Sequence, residues 1–380
     1  MSNEWRSNDF LVVYWHFLVF WALACVALIP HELGHLIAAT LVGFTPAMIS
    51  FNGGRRIATL ILHNLVCEIR TLPGNGFVVA TREQPIGWRW RAMAFVAAGP
   101  LANLFIASIC FWVLGWDQWW PERLHSVSPL HLFAGANLAM GLWALLIPMD
   151  VNTPIGPSTN DGKQLYRIIR GDVPDPRQLG LLHASASAIV ANRRGDVPKE
   201  AELLTEAANR FNAHGVLCLP LSACHLRMGE DRSACLIVQA ELDRHVALDL
   251  TRAHLLTHLA WANLLIGGEL GISNADDAAA QAVTIAPWDP HVQSVAGAVL
   301  LMKGEPSAAS KQFAVSYTGL DDPVSRAMSL CGMSACAMQL GQRSAANRYA
   351  HRARRLDPAS RLLPWTQEAS RPDLDGALIR

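Results

Sequence analysis

Charged side chains are scarce in this chain. They make up 16% of its 380 residues, and 31 Lys plus Arg cancel 31 Asp plus Glu without forming a basic tract. That excludes nucleic acid as the main partner, because phosphate binding draws on clustered cations. Closely paired cysteine spacings are missing too. The eight cysteines (Cys25, Cys67, Cys110, Cys218, Cys224, Cys235, Cys331 and Cys336) show no zinc-type pairing, and several fall inside apolar helical patterns. We expect reduced core thiols rather than disulfides or a cysteine metal site. The first nine residues lack a basic region, and no small-residue cleavage site follows the first apolar run, which argues against a removable signal peptide. Beyond Asp172 no apolar segment of membrane-span length occurs.

What the chain does have is apolar: 51% of its residues are hydrophobic and 13 are Trp. Three segments are long enough to span a bilayer, at about residues 10–44, 92–114 and 131–148. The first, as helix, would extend roughly 50 Å. The connection 45–90 alternates apolar residues with glycines ("RRIATLILHNLVCEIRTLPGNGF") and reads as short strands. Arg55, Arg56, Arg70, Arg82, Arg89 and Arg91 fall in that first connection, and Lys163, Arg167 and Arg170 follow the third span, whereas the second connection holds only Arg123. The positive-inside rule therefore puts the N-terminus outside and the C-terminal region in the cytoplasm. Trp116, Trp119 and Trp120 would form the outer aromatic belt, with Trp88 and Trp90 in the inner one.

Into the end of the first apolar run the chain puts "PHELGH", with His31, Glu32 and His35. Four residues apart on a helix, the two histidines project from one face and Glu32 is offset by about 100°. That pattern, H-E-x-x-H, suits a zinc ion held by two neutral imidazoles with a glutamate placed to take a proton from water. Ionisable groups at membrane depth are costly and mark function by default. A second His pair four apart, His254 and His258, lies in a plainly soluble helical region without a glutamate between, and reads as a merely solvated or satisfied pair. A catalytic zinc needs a third ligand. Two acids follow the third span, Asp150 in "IPMDVN" and Asp161 in "NDG", either of which also suits a turn or helix cap.

"PHELGH", then "AAGPLAN" at 97–103 in the second span, then Asp-Gly after the third, resembles the site-2 protease family of intramembrane zinc metalloproteases over roughly residues 10–170. The resemblance implies three core spans, one catalytic Zn2+ facing the cytoplasm, His31, His35 and Asp161 as ligands and Glu32 as general base. One departure stands out: Leu145 occupies the place of the family's asparagine before Pro148, and Asp161 lies 13 residues beyond that proline. Asn103 and Asn137 are candidates to supply an amide to the transition state or substrate. Substrates by resemblance are transmembrane proteins, cut in or near their spans after local unwinding, and the strand-like region 51–80 could receive the unwound segment by edge pairing. Ile57 and Leu60 are the positions at which proline should then impair cleavage.

The second half is repetitive. Glycines at 195, 229, 267, 304 and 341 each close an apolar stretch, 34, 38, 37 and 37 residues apart, and Pro290, Pro323 and Pro358 recur at 33 and 35. Such periods resemble degenerate tetratricopeptide repeats, stacked helical hairpins with a concave protein-binding surface. The expected architecture is mainly α: residues 1–172 a polytopic membrane domain of three core transmembrane helices with a small membrane-associated β region, residues 173–370 a cytoplasmic α-helical solenoid, and residues 371–380 a tail. The function that follows is intramembrane proteolysis, with transmembrane substrates, a cytoplasmic partner on the repeats and the lipid bilayer as surroundings, in a bacterial inner membrane. The alternative is a membrane-anchored repeat adaptor on a core that no longer cuts.

Overall fold

The computed structural model describes residues 7–72, 76–83, 86–115, 127–153, 156–172, 174–244 and 249–368. Trp116, Trp119, Trp120, Arg123 and the tail 371–380 lie outside the described residues. The chain divides into two compact units, 1–194 and 195–380.

In the first unit, three helices are long and apolar enough to cross a membrane: α1 (Ser7–Leu41), α2 (Trp88–Leu114) and α3 (Pro129–Leu146). Their large apolar side chains point outward, including Trp15 and Ile37 on α1, Phe105 and Trp112 on α2 and Leu146 on α3, while His31, Glu32, His35, Asn103 and Asn137 are buried. This inside-out distribution is what a hydrocarbon solvent requires. α1 runs unbroken through Pro30, which removes one intrahelical hydrogen bond just before His31. α3 opens on a capping box in which the Ser128 hydroxyl accepts from the His131 backbone N–H.

The strands expected between the first two spans form one sheet. β1 (Thr45–Phe51), β2 (Gly53–Leu62), β3 (Leu65–Leu72) and β4 (Phe77–Thr81) are ordered β2-β3-β1-β4, with β1 parallel to β3 and antiparallel to β4. β2 and β4 are therefore the edges. Two elements were not legible beforehand. Between Pro148 and Asp161 a hairpin forms from β5 (Asp150–Thr153) and β6 (Gly156–Thr159), leading into α4 (Asp161–Arg170). The second is the assignment of α5 (Pro176–Arg194), which packs on the sheet through Ala186 and Val190 against Met48 and Val66. Arg193 also reaches the fully buried Glu68 at 3.0 Å, where Arg70 and Arg56 already sit at 2.6 and 3.1 Å. The first compact unit thus runs to residue 194, with α5 completing the sheet's core.

The second unit is helical throughout its described residues. It contains α6 (Val197–Phe211), α7 (His214–Met228), α8 (Asp231–Leu242), α9 (Leu250–Ile266), α10 (Gly268–Ile285), α11 (Pro290–Met302), α12 (Pro306–Gly319), α13 (Pro323–Gln339), α14 (Arg343–Leu356) and the short α15 (Trp365–Glu368). All five periodic glycines have positive φ and stand at helix-to-helix turns, the conformation for which glycine carries no Cβ penalty. Pro290 and Pro323 are first helical residues behind capping aspartates Asp289 and Asp322, whereas Pro358 lies beyond α14 outside a helix. Each helix packs on the next, and α7, α9, α11 and α13 also touch in succession, so the hairpins stack with these four forming one row. Alanines such as Ala278, Ala279 and Ala282 are buried at the helix contacts with Val295 and Phe313 in one continuous core.

Candidate metal centre

α1 presents His31 and His35 on one face, four residues apart, and their rings lie edge to face at 4.9 Å. Asp161, the first residue of α4, reaches both: its Oδ2 is 3.0 Å from His31 Nε2 and its Oδ1 3.4 Å from His35 Nε2. The ligand atoms of the three residues lie within 4.8 Å of one another, and among the described residues no other group of His, Cys, Asp and Glu comes together in this way. Both histidines and Glu32 are less than 8% exposed.

The second helix fixes the imidazole of His35. Its Nδ1–H donates to the Phe95 carbonyl at 2.8 Å, which leaves a lone pair on Nε2 of the neutral ring. Nε2 then faces a carboxylate oxygen of Asp161 at 3.4 Å, an arrangement that could hold a cation between them. His31 Nδ1 and Glu32 Oε2 have no hydrogen-bond partner. Two imidazoles and one carboxylate with a further glutamate alongside is a donor set that fits zinc. Gly99, in "AAGPLAN", lets α2 lie directly against His35, since a Cβ there would collide with the ring.

The hairpin explains how Asp161 arrives despite its distance from Pro148. The chain leaves α3, turns through β5 and β6 and comes back to where it left. Asn160 N–H donates to the Met149 carbonyl at 3.0 Å, Met149 N–H donates to Asn160 Oδ1 at 3.0 Å, and Asn160 Nδ2 donates to the Ile147 carbonyl at 2.6 Å. Asn160 also caps α4 by accepting from Lys163 N–H. Gly162 then permits the close approach: a Cβ would fall 2.6 Å from the Leu145 carbonyl oxygen and 2.7 Å from that of Ala144. Asp150, the rival third ligand, is exposed and paired with Lys163 Nζ at 2.7 Å. Sequence reasoning missed Asn160, Phe95 and Gly99 as supports. Only Asn160 left a local signal, a cap residue directly before Asp-Gly.

The centre opens on a cavity of about 820 Å3 whose walls include Leu28, Phe77, Val79, Met140 and Trp143. Phe77 and Val79 belong to β4, and just before that strand the backbone at Gly76 lies against Glu32, where a Cβ would overlap the carboxylate. The edge of the sheet next to the centre is thus β4, and Ile57 and Leu60, on β2, lie on the far edge. Asn103 and Asn137 are fully buried but do not line this cavity. Asn137 Nδ2 donates to the Phe133 carbonyl, and neither amide atom of Asn103 has a partner. His254 and His258 are each satisfied elsewhere, by Asp289 at 3.1 Å and by Ser222 Oγ at 2.6 Å.

A His-Glu-His helix, an aspartate from a later helix and a three-helix apolar bundle define a membrane protein with a metal centre of the zinc-peptidase kind. The chain belongs to Peptidase family M50, whose description matches residues 19–318. A provisionally named zinc metalloprotease of Vibrio cholerae is 26% identical over 167 residues, a match covering 40% of this chain and 36% of that one. The match thus spans about a third of the curated relative. Among solved structures, the MamA protein (16% identity, 47% of this chain, 92% of that chain, TM-score 0.30) and BtubC from P. vanneervenii (17%, 51%, 85%, 0.36) are similar only at a level that carries no argument.

Proposed function

We propose that this protein is an intramembrane zinc metalloprotease that hydrolyses peptide bonds in or near the transmembrane segment of membrane-protein substrates. The observation that carries this reading is the buried convergence of His31, His35 and Asp161 beside Glu32, between helices that are apolar on the outside. His31 and His35 through Nε2, with Asp161, would hold the ion, and Phe95 fixes the ring of His35. Zinc supplies the Lewis acidity of this chemistry, polarising the scissile carbonyl and acidifying the attacking water. Glu32 accepts the proton of that water and returns it to the leaving amine. Asn103, four residues beyond Gly99 and so on the same face of α2, has an amide free to hydrogen-bond, and Asn137 is the second candidate for contact with substrate. A substrate helix must unwind before its carbonyls can be attacked, and the free edge of β4 beside the cavity suits an extended segment.

The basic residues before α2 and after α3 support a reading in which the N-terminus is outside and the centre, the sheet and the helical unit face the cytoplasm of a bacterial inner membrane. The hairpin unit, with its turn glycines and Asp-Pro helix starts, suits a tetratricopeptide-like module that binds a cytoplasmic partner or the substrate's soluble part. The test is cleavage of a single-span reporter by the purified, reconstituted full chain. Wild type cuts; Glu32→Gln is slowed by about 10²–10⁴-fold, and removal of zinc by a chelator abolishes cutting. Equal cleavage by wild type and Glu32→Gln would refute the proposal, and absence of cleavage in a zinc-loaded wild type would favour the adaptor.

A further inference from the structure

After α14 the chain does not end on the last hairpin. Residues 357–368 turn back across the row formed by α13, α11, α9 and α7, and reach a hairpin 130 residues earlier in sequence. Three contacts anchor this strap. Arg361 donates to both oxygens of Asp231, at the start of α8, at 2.6 and 3.0 Å, and to the Leu226 carbonyl at the end of α7 at 2.6 Å. Leu362 is 3% exposed within the unit's main core. The Trp365 ring lies 6.3 Å from that of Trp261, on α9.

The strap fits loosely. Between it and the helices remains a cavity of about 390 Å3, lined by Thr257, His258, Trp261, His291, Ser294 and Met328. The cavity's size is that of a ligand pocket, and its walls are apolar and aromatic with a few polar groups. A bidentate arginine and a tryptophan tilted against a second tryptophan ring are also among the residue types enriched at binding hot spots.

We infer that the row α7-α9-α11-α13 is a peptide-binding groove, occupied in cis by Arg361, Leu362 and Trp365, and that its partner is a protein segment with a basic residue followed by large apolar ones. This deepens the partner-binding role proposed above for the hairpin unit and is independent of the protease reading. Asp231 selects the basic residue, Trp261 the aromatic one, and the unfilled cavity favours a partner side chain larger than leucine at the centre. Tethering raises the local concentration of the strap to the millimolar range, so a partner must bind better than the strap or be presented close by.

The experiment uses the full chain in detergent, with a protease recognition sequence inserted between the exposed Pro358 and Ala359. The probe is a fluorescent peptide of residues 359–368. The uncut protein binds it weakly, whereas the cut protein, freed of its strap by dialysis, binds at least 10-fold tighter. Trp261→Ala and Asp231→Arg each weaken binding to the cut protein 10-fold or more, and a probe carrying Leu362→Trp binds more tightly than the native sequence. Equal binding before and after cutting, or helical content lost on cutting and unrestored by peptide, would overturn the inference. So would a cavity that takes up a small apolar dye while the cut protein rejects the peptide. Should exchange fail while reporter cleavage still requires residues 195–380, the groove is wrong and the recruiting role survives.

Discussion

At the scale of single residues, the centre depends on side chains that hold others in place as much as on the ligands. Gly162 is the sharpest case. Alanine there would press a methyl group against the carbonyls of Ala144 and Leu145 and push the start of α4 away from α3. Asp161 rides on that helix start, so Gly162→Ala should weaken zinc binding by about 10–100-fold while the apolar bundle still forms, as a competition titration with a zinc chelator would show. An unchanged zinc affinity would mean that α4 is not held by this contact. The pairing of His31 and His35 on one face was legible because H-E-x-x-H is a local pattern whose geometry follows from helical spacing alone. Phe95 was not, since its contribution is a backbone carbonyl that any residue type offers. Gly99 lay in a quoted motif, yet its contact with His35 depends on how two helices cross.

At the scale of elements, the hairpin β5–β6 shows what a spacing argument can and cannot read. The thirteen residues from Pro148 to Asp161 look like a displacement of the third ligand, but they form an excursion that closes on itself, with Met149 and Asn160 hydrogen-bonded at its neck. Short strands of four residues carry too little alternation to reveal this. α5 was not legible for the opposite reason: a helix in itself, it takes its place only from the sheet face it covers and from Arg193 at Glu68. The strands of 45–81 were legible from alternation, but not which edge faces the centre, because strand order is a long-range property. β4 holds that place. Proline at Val78 or Val79 removes in one case an N–H turned to the free edge, so one of the two variants should lose reporter cleavage about 10-fold or more with zinc retained. Proline at Ile57 in β2 should leave cleavage unchanged. The reverse pattern would move substrate pairing to the far edge.

At the scale of the whole molecule, the two units carry different chemistry. Four thiols of the hairpin unit are buried and raised by burial, Cys218 to about 11 and Cys224, Cys331 and Cys336 to about 12, which lowers their reactivity. His258 is depressed to about 4 by burial, with His291 and His254 adding repulsion. A depressed folded-state value means that the unfolded chain binds the proton first. The stabilisation is therefore present above about pH 6.5 and is lost as pH falls toward 4. Thermal unfolding of the helical signal should drop by roughly 4–8 °C between pH 7.5 and 5.0 through this group, and His258→Gln should flatten that dependence. The membrane unit has its own signature, two imidazoles and one carboxylate placed where they could hold a metal ion. Zinc content of the purified full chain, compared between wild type, Asp150→Ala and Asp161→Ala, tests that claim most directly. One zinc per chain in wild type and Asp150→Ala, lost in Asp161→Ala, is the predicted result; no zinc in wild type, or zinc retained in Asp161→Ala, would contradict it.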